Sequence, residues 1–373
     1  MLGLELIATV TGCCLPARSA QICTTWRLET QALAARERDL ALAPALDPLR
    51  LPLRLPLSVP LPSLLSPLHS AGIASFRARV PLFALLLGAC CIGLAPIFPK
   101  WAFDIERASG VAQPLGIIAA GFWRMALATP VLWLLLVQRP PEPALGSRDR
   151  WLLLLPGLAF AADMAAWHKS FEYTSVANST LLANFATIVV SLTGWVALGE
   201  RITGQLIAGA LLALLGAGVL LGVDFSVGSD PLLGDGLALL AACFYASYLL
   251  AIKRLRARFS TARIMAYNTV VSALGLLLIA FVLGEGLWPH DPRAWWLLVA
   301  LALVAQVGGQ GLITYSMAHL PASFASIALL VQPVVAAAVS WVLFDQALGP
   351  LQLAGGVLVL AGVTLAGRAR GSP

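Results

Sequence analysis

Long hydrophobic runs follow one another from residue 80 to residue 366, separated by short polar loops. In a helix that rises 1.5 Å per residue, about 20 apolar residues cross the roughly 30 Å hydrocarbon layer of a bilayer. Counting runs of that length predicts ten transmembrane helices and an all-α polytopic membrane protein. The predicted ranges are 80–98, 115–137, 151–171, 176–197, 205–221, 232–251, 262–283, 295–317, 322–343 and 350–366.

The composition supports the same class. Hydrophobic residues make up 59% of the chain and charged residues 11%, against roughly 45–50% and about 25% in soluble domains. The net charge of +6 does not indicate nucleic-acid binding, because the basic residues lie in short loops between apolar runs. The six cysteines show neither CxxC nor Cys/His spacing, so we predict no disulfide framework, no metal and no cofactor.

The distribution of basic residues among the loops predicts the orientation of the chain in the membrane. Cytoplasmic loops carry the excess of Lys and Arg. One set of alternating loops holds Arg77, Arg79, Arg139, Arg148, Arg150, Arg201, Lys253, Arg254, Arg256, Arg258, Arg263, Arg368 and Arg370. The opposite set holds only Lys100, Arg107, Lys169 and Arg293. We therefore expect both termini in the cytoplasm and a multi-pass protein of the inner (plasma) membrane.

Residues 1–76 differ from the rest of the chain. Pro44, Pro48, Pro52, Pro56 and Pro60 recur every fourth residue among Leu and Arg. This spacing excludes an α-helix over the stretch and favours extended or disordered chain. The segment is either such an extension or the product of a start site assigned too far upstream.

The chain repeats itself with a shift of 146 residues. Equivalent residues are Trp195 with Trp341, Gly209 with Gly355, and Gly216 with Gly362. The shift places helices four and five on helices nine and ten and predicts two five-helix repeats, 77–222 and 223–370. Because five is an odd number, the second repeat should enter the membrane with inverted orientation. Inverted repeats are a recurrent plan of secondary transporters.

Two segments carry a family resemblance. Residues 173–222, with the run LGERIT at 198–203, resemble the EamA-type segment of the drug/metabolite transporter superfamily. Residues 320–367, with LPAS at 320–323, resemble its second copy. The resemblance implies ten helices in two inverted repeats around a central cavity for a small solute. This chain departs from the family pattern at Thr187, where a proline is common, and at Gln346, where an acid would match Glu200.

Two charges lie at membrane depth. From the predicted helix ends, Arg124 lies about 14 Å and Asp163 about 12 Å below the outer boundary. Because they lie on consecutive antiparallel helices, we expect them to form an ion pair. Breaking that pair by protonating Asp163, or by offering Arg124 a solute carboxylate, would be a transport switch. The alternative is a fixed buried ion pair, or charges that are satisfied by backbone groups and water.

Further polar residues follow helix faces. Helix four carries Thr180, Asn184, Thr187 and Ser191 on one stripe, which either lines a solute path or packs against neighbours. The candidate solute-binding residues are Arg124, Asp163, Asn184, Thr187, Tyr245, Gln306, Gln310 and Gln332. The candidate gate or coupling residues are Asp163, His168 and Glu200.

These patterns predict a secondary transporter that moves a small metabolite, amino acid or amphipathic compound, in the export direction, by alternating access. Protons are the candidate coupling ion, and a homodimer is left open. The alternatives are an intramembrane enzyme acting on a lipid-linked substrate and a non-transporting scaffold or sensor. We favour a transporter because no nucleophile or titratable cluster suited to catalysis is evident at membrane depth.

Overall fold

The computed structural model describes residues 66–111, 113–142, 144–222 and 230–369. The predictions for residues 1–65, including those for Cys13, Cys14 and Cys23, lie outside the described residues. A compact unit of residues 76–137 and 141–373 contains all the spans and contacts discussed below.

Within the described part of the chain, ten helices are long and apolar enough to cross a membrane, which confirms the predicted number. They are α1 (Arg79–Ala108), α2 (Ile117–Val137), α3 (Ser147–Ser170), α4 (Val176–Leu198), α5 (Gly204–Leu221), α6 (Pro231–Leu255), α7 (Thr261–Val282), α8 (Pro292–Ser316), α9 (Ala322–Phe344) and α10 (Pro350–Arg368).

The first span differs from its predicted range at both ends. The helix that contains the start of α1 begins earlier, at Ser66, inside the segment predicted to be extended, and ends at Gly93. After a turn at residues 94–96, a second helix, Ile97–Ala108, continues where a loop was expected. This added helix places polar side chains one turn apart, and Lys100 bonds Asp104 at 2.7 Å. The hydropathy pattern did not predict the helix Ile97–Ala108, because its residues are too polar to extend an apolar run.

Helices α4 and α9 are both interrupted within their spans. α4 consists of Val176–Ala183 and Ala186–Leu198, and α9 of Ala322–Ala328 and Val331–Phe344. Pro333 explains part of the break in α9, because proline cannot donate to the helical ladder. α4 has Thr187 at the equivalent position and breaks nevertheless. The polar stripe predicted on a continuous helix four therefore lies on two helical segments.

Helices α5 and α10 pack against each other through small residues. A Cβ atom on Gly209 would lie 2.6 Å from the carbonyl oxygen of Gly362, and one on Gly216 would lie 2.6 Å from the backbone nitrogen of Val359. Such distances leave no room for a side chain, so the glycines permit the close approach. These glycines therefore form the packing faces of the two helices.

Helices α6, α7 and α8 pack against helices of the first half of the chain. α6 packs on α3 and α4, α7 on α2 and α3, and α8 on α2. α8 is not a regular α-helix, because residues Leu301–Gln310 form a π-helical segment between two α-helical ones. π-Helical turns are rare and frequent at functional sites. This segment carries Gln306 and Gln310, both buried.

Candidate functional site

Arg124 of α2 and Asp163 of α3 are both nearly buried, with 7% and 9% of their surfaces exposed. The Nε atom of Arg124 donates to Oε1 of Gln306 at 3.0 Å. No ion pair of the described residues includes Arg124 or Asp163, so the predicted pair between them is wrong for this conformation. The π-helical segment of α8 brings a neutral amide to the arginine instead.

A pair of tyrosines on α6 lies in the same part of the molecule as the two charges. The rings of Tyr245 and Tyr248 stack with centroids 5.9 Å apart and planes 21° apart. Both tyrosines interact electrostatically with Arg124 and with Asp163. Phe160 closes the cluster, because its ring centroid lies 5.4 Å from that of Tyr248 and 5.7 Å from the Arg124 guanidinium carbon.

Two glutamines complete the cluster. Nε2 of Gln310 donates to the Tyr248 hydroxyl at 2.6 Å, and the Tyr245 hydroxyl lies beside the Gln332 side chain at the break of α9. The structure thus joins side chains from α2, α3, α6, α8 and α9. We name this cluster the central polar layer: Arg124, Phe160, Asp163, Tyr245, Tyr248, Gln306, Gln310 and Gln332.

Several buried N–H donors in this part of the molecule have no hydrogen-bond partner among the described residues. They are Trp167 Nε1, Asn184 Nδ2, Gln306 Nε2 and Gln332 Nε2. Most buried donors in folded proteins are paired. Two of these four belong to the central polar layer, and Trp167 follows Asp163 by one helical turn.

The remaining predicted residues are placed differently. Thr187 donates from its hydroxyl to the carbonyl oxygen of Ser326 at 3.3 Å, which links α4 to α9. His168, a candidate gate or coupling residue, is buried against Trp167 and Phe171, with ring centroids 5.1 and 5.6 Å away. Phe160 was missed from the sequence, although its position one turn before Asp163 places both on one face of α3.

Glu200 lies beyond the end of α4 and binds the start of α9. Its Oε1 accepts from the backbone nitrogen of Ala322 at 2.6 Å. Its Oε2 accepts from the backbone nitrogen of Ser323 at 3.0 Å and from the Ser323 hydroxyl at 2.7 Å. The first N–H groups of a helix lack intrahelical partners and attract negative charge. Glu200 therefore caps a helix of the other half of the chain.

Two other acids also contact helix starts in the opposite half of the chain, one through backbone donors and one through an ion pair. Glu285, after α7, accepts from the backbone nitrogen of Ala119 in the first turn of α2 at 2.9 Å. Burial raises the pKa of the Glu285 carboxyl, and the backbone donors oppose that rise. Glu142, after α2, pairs with Arg263 in the first turn of α7 at 3.2 Å. Residues from each half thus hold helix starts of the other.

Comparison with known proteins shows which family and which relatives the chain is similar to. The profile of the EamA-like transporter family matches residues 79–222 and, a second time, residues 232–368. A pseudopaline exporter of Pseudomonas aeruginosa is 27% identical over 256 residues, which are 69% of this chain and 87% of that protein. A probable terminal-alkyne amino-acid exporter of Streptantibioticus cattleyicolor is 28% identical over 227 residues, which are 60% and 74% of the two chains.

A solved crystal structure has a similar fold. It superposes with a TM-score of 0.59 at 21% sequence identity and covers 76% of this chain and 98% of its own. The family match extends over most of the chain and includes every residue of the central polar layer. Ten apolar spans, a polar cluster at membrane depth and two profile matches agree with one another, and the chain belongs to the EamA-like transporter family, a group of drug/metabolite-type transporters.

Proposed function

We propose that this protein is a secondary exporter of the inner (plasma) membrane that binds a small polar metabolite at the central polar layer. One observation carries the proposal: Arg124 and Asp163 are buried within membrane spans and are not paired with each other. Charges at membrane depth are costly and usually serve solute or ion pathways. A protein with only a structural role would have little reason to keep two such charges apart.

The names of the relatives support the direction of transport. Pseudopaline and a terminal-alkyne amino acid are solutes that the two relatives are named as exporting. The relatives' names also point to a non-enzymatic role. The excess of Lys and Arg in one set of loops supports an orientation with both termini in the cytoplasm.

Asp163 is the residue that we propose for proton coupling. Its carboxylate is buried and makes no hydrogen bond or ion pair with another described residue, so protonation would break no contact of the described residues. Protonation of Asp163 from the outer side would weaken its contact with a bound solute and release that solute. Deprotonation toward the cytoplasm would restore the site, so that one proton enters for each solute that leaves.

Two inverted halves would supply the required movement. The profile matches each half once, and the segments of α4 and α9 begin at Val176 and Ala322 and end at Leu198 and Phe344, which are 146 residues apart in both cases. Such a repeat can alternate between two related shapes around one site. We propose that Glu200 holds the cytoplasmic end of this site closed in the conformation described.

Replacing Asp163 tests the proposal directly. In proteoliposomes, Asp163→Asn should abolish flux driven by a pH gradient while the protein stays folded and inserted. The matched control is Asp104→Asn, which removes an exposed acid in an ion pair at the end of α1 and should leave flux unchanged. Unchanged pH-driven flux in Asp163→Asn would remove this residue from coupling.

The same vesicles distinguish the alternatives. Mass spectrometry of the solute before and after passage should find no covalent change. A modified product would support an intramembrane enzyme, and the absence of flux for every solute would support a scaffold or sensor.

A further inference from the structure

We propose that the start of α3 and the loop after α6 form a binding surface for an anionic phospholipid. We name it the lipid surface: Arg148, Arg150, Trp151, Leu155, Leu158 and Arg258. The proposal goes beyond the proposed function, because these residues lie outside the central polar layer and their occupant is a component of the bilayer, not the solute.

The charged part of the lipid surface joins the two halves of the chain. Nη1 of Arg258, in the loop after α6, lies 2.8 Å from Oδ1 of Asp149 in the first turn of α3, and its Nη2 lies 3.3 Å from Oδ2. Arg148 and Arg150 flank Asp149 in the sequence, and both are exposed. Three arginines and one carboxylate thus share the start of α3, which leaves an excess of two positive charges.

Other basic residues near this loop are used inside the protein. Lys253 and Arg256 donate to backbone carbonyl oxygens of the second half at 2.6 and 3.1 Å. By contrast, the side chains of Arg148 and Arg150 make no hydrogen bond or ion pair with a described residue. The positive end of the helix dipole also disfavours cations in a first turn. An anion from outside the protein would compensate both arginines.

An exposed apolar stripe continues along α3 from the charged part. Trp151, Leu155 and Leu158 are 72%, 49% and 56% exposed. With Arg148 they follow spacings of three, four and three residues, which place them on one helix face. The helix rises about 15 Å from Arg148 to Leu158, which is the thickness of one leaflet of the hydrocarbon layer. The tryptophan lies at the charged end, where the membrane meets water.

The two parts of the lipid surface match the two parts of a phospholipid. The guanidinium groups of Arg148 and Arg258 can bind phosphate oxygens in a bidentate fashion, while an acyl chain lies along the stripe below them. A zwitterionic headgroup carries its own ammonium beside the phosphate and compensates the excess charge poorly. A headgroup with a phosphate and no cation compensates it well, so the surface favours an anionic phospholipid.

Native mass spectrometry of the full chain tests this preference. The protein is released from nanodiscs that contain equal amounts of phosphatidylglycerol and phosphatidylcholine, and the lipids that stay bound are counted. We expect phosphatidylglycerol to be enriched on the parent protein. The enrichment should fall about five-fold in Arg148→Gln, as for the loss of one arginine near an anionic leaflet, and by a similar factor in Arg150→Gln.

Arg107→Gln is the matched control. It removes an exposed arginine at the opposite ends of the spans, one whose side chain makes no hydrogen bond or ion pair with a described residue, and it should leave the enrichment unchanged. Equal loss of enrichment in Arg107→Gln would show an effect of total charge and would overturn the proposal. No enrichment on the parent protein would overturn it as well. Thermal unfolding in detergent checks that all variants are folded.

Inorganic phosphate tests the apolar part of the surface. Because it has no acyl chain, an excess of it should leave phosphatidylglycerol bound. Displacement of the lipid by inorganic phosphate would identify a site for the free anion and overturn the proposal. None of these measurements involves flux, so their failure would leave the proposed transport function intact.

Discussion

The loop after α4 and the loop after α9 hold equivalent places in the two halves of the chain, yet their contacts with the other half differ in kind. At the Glu200 end, residues 198–203, the Glu200 carboxylate accepts three hydrogen bonds from Ala322 and Ser323. At the Asp345 end, residues 344–349, neither Asp345 nor Gln346 makes a side-chain hydrogen bond to a described residue. Phe344 at this end instead contacts the first half through Lys100, whose Nζ lies 4.2 Å from the ring centroid, and through the Trp101 ring. The conformation described is therefore held by hydrogen bonds to a carboxylate at one end and by ring contacts at the other.

The starts of the two broken helices explain this difference. α4 carries its own cap, because the Ser175 hydroxyl accepts from the backbone nitrogen of Asn178 at 3.1 Å. α9 has Pro321 in that position, which offers no side-chain cap, so its first amides are satisfied by Glu200. Opening the Glu200 end thus requires that a charged contact between the two halves be broken, whereas the start of α4 imposes no such requirement.

A covalent tether at the Glu200 end should have the largest effect. In a chain without its native cysteines, Glu200→Cys with Ser323→Cys is joined by a short bis-methanethiosulfonate reagent. If this end must open in each cycle, the cross-linked protein should lose flux completely and regain it after reduction. Each single cysteine variant treated in the same way is the control. Full flux from protein shown by mass spectrometry to be cross-linked would contradict the proposed gate.

Removing only the charge should have a smaller effect. Glu200→Gln weakens the contact with the N-terminus of α9, which we expect to cost about 1–2 kcal/mol and to shift the equilibrium toward opening roughly 5- to 30-fold. The readout is the rate at which a membrane-impermeant maleimide, applied from the Glu200 end, modifies Ser326→Cys, a position that is 3% exposed and faces α4.

Gln346→Glu is the matched variant for this experiment. It places an acid at the equivalent position of the other end and should raise the rate of labelling from the Glu200 end, if it stabilises closure at the Asp345 end, because the two ends open alternately. Equal labelling of the parent protein and Glu200→Gln would show that the contact does not control access.

The smallest expected effect concerns the backbone at the two helix ends. Gly199 and Asp345 both adopt the left-handed conformation, with φ of 67° and 52°, but only glycine does so without steric cost. Asp345→Gly should therefore raise the free energy of unfolding by less than about 1 kcal/mol, and Gly199→Asp should lower it by about 1–2 kcal/mol. Thermal unfolding in detergent measures both, and shifts of the same sign would contradict this explanation.

Much of the fold follows from the sequence because it depends on sums along the chain. The span predicted at 176–197 is found at Val176–Leu198, and that at 205–221 at Gly204–Leu221. The depth of Arg124 and Asp163 follows from the same counting. The break in α4 could not be predicted from the sequence. α4 has Thr187 at the position where a proline would indicate a break, and the break depends on contacts with α9.

The sequence by itself determined which segments enter the membrane and which charges they carry there, because an unsatisfied backbone or an exposed charge in hydrocarbon costs several kcal/mol and leaves few alternatives. Only the tertiary structure decided which groups meet: Arg124 with Gln306, Tyr248 with Gln310, and Glu200 with the start of α9. Each of these contacts joins helices that are distant in the sequence, and the π-helical segment of α8, Leu301–Gln310, carries two of the partners, Gln306 and Gln310.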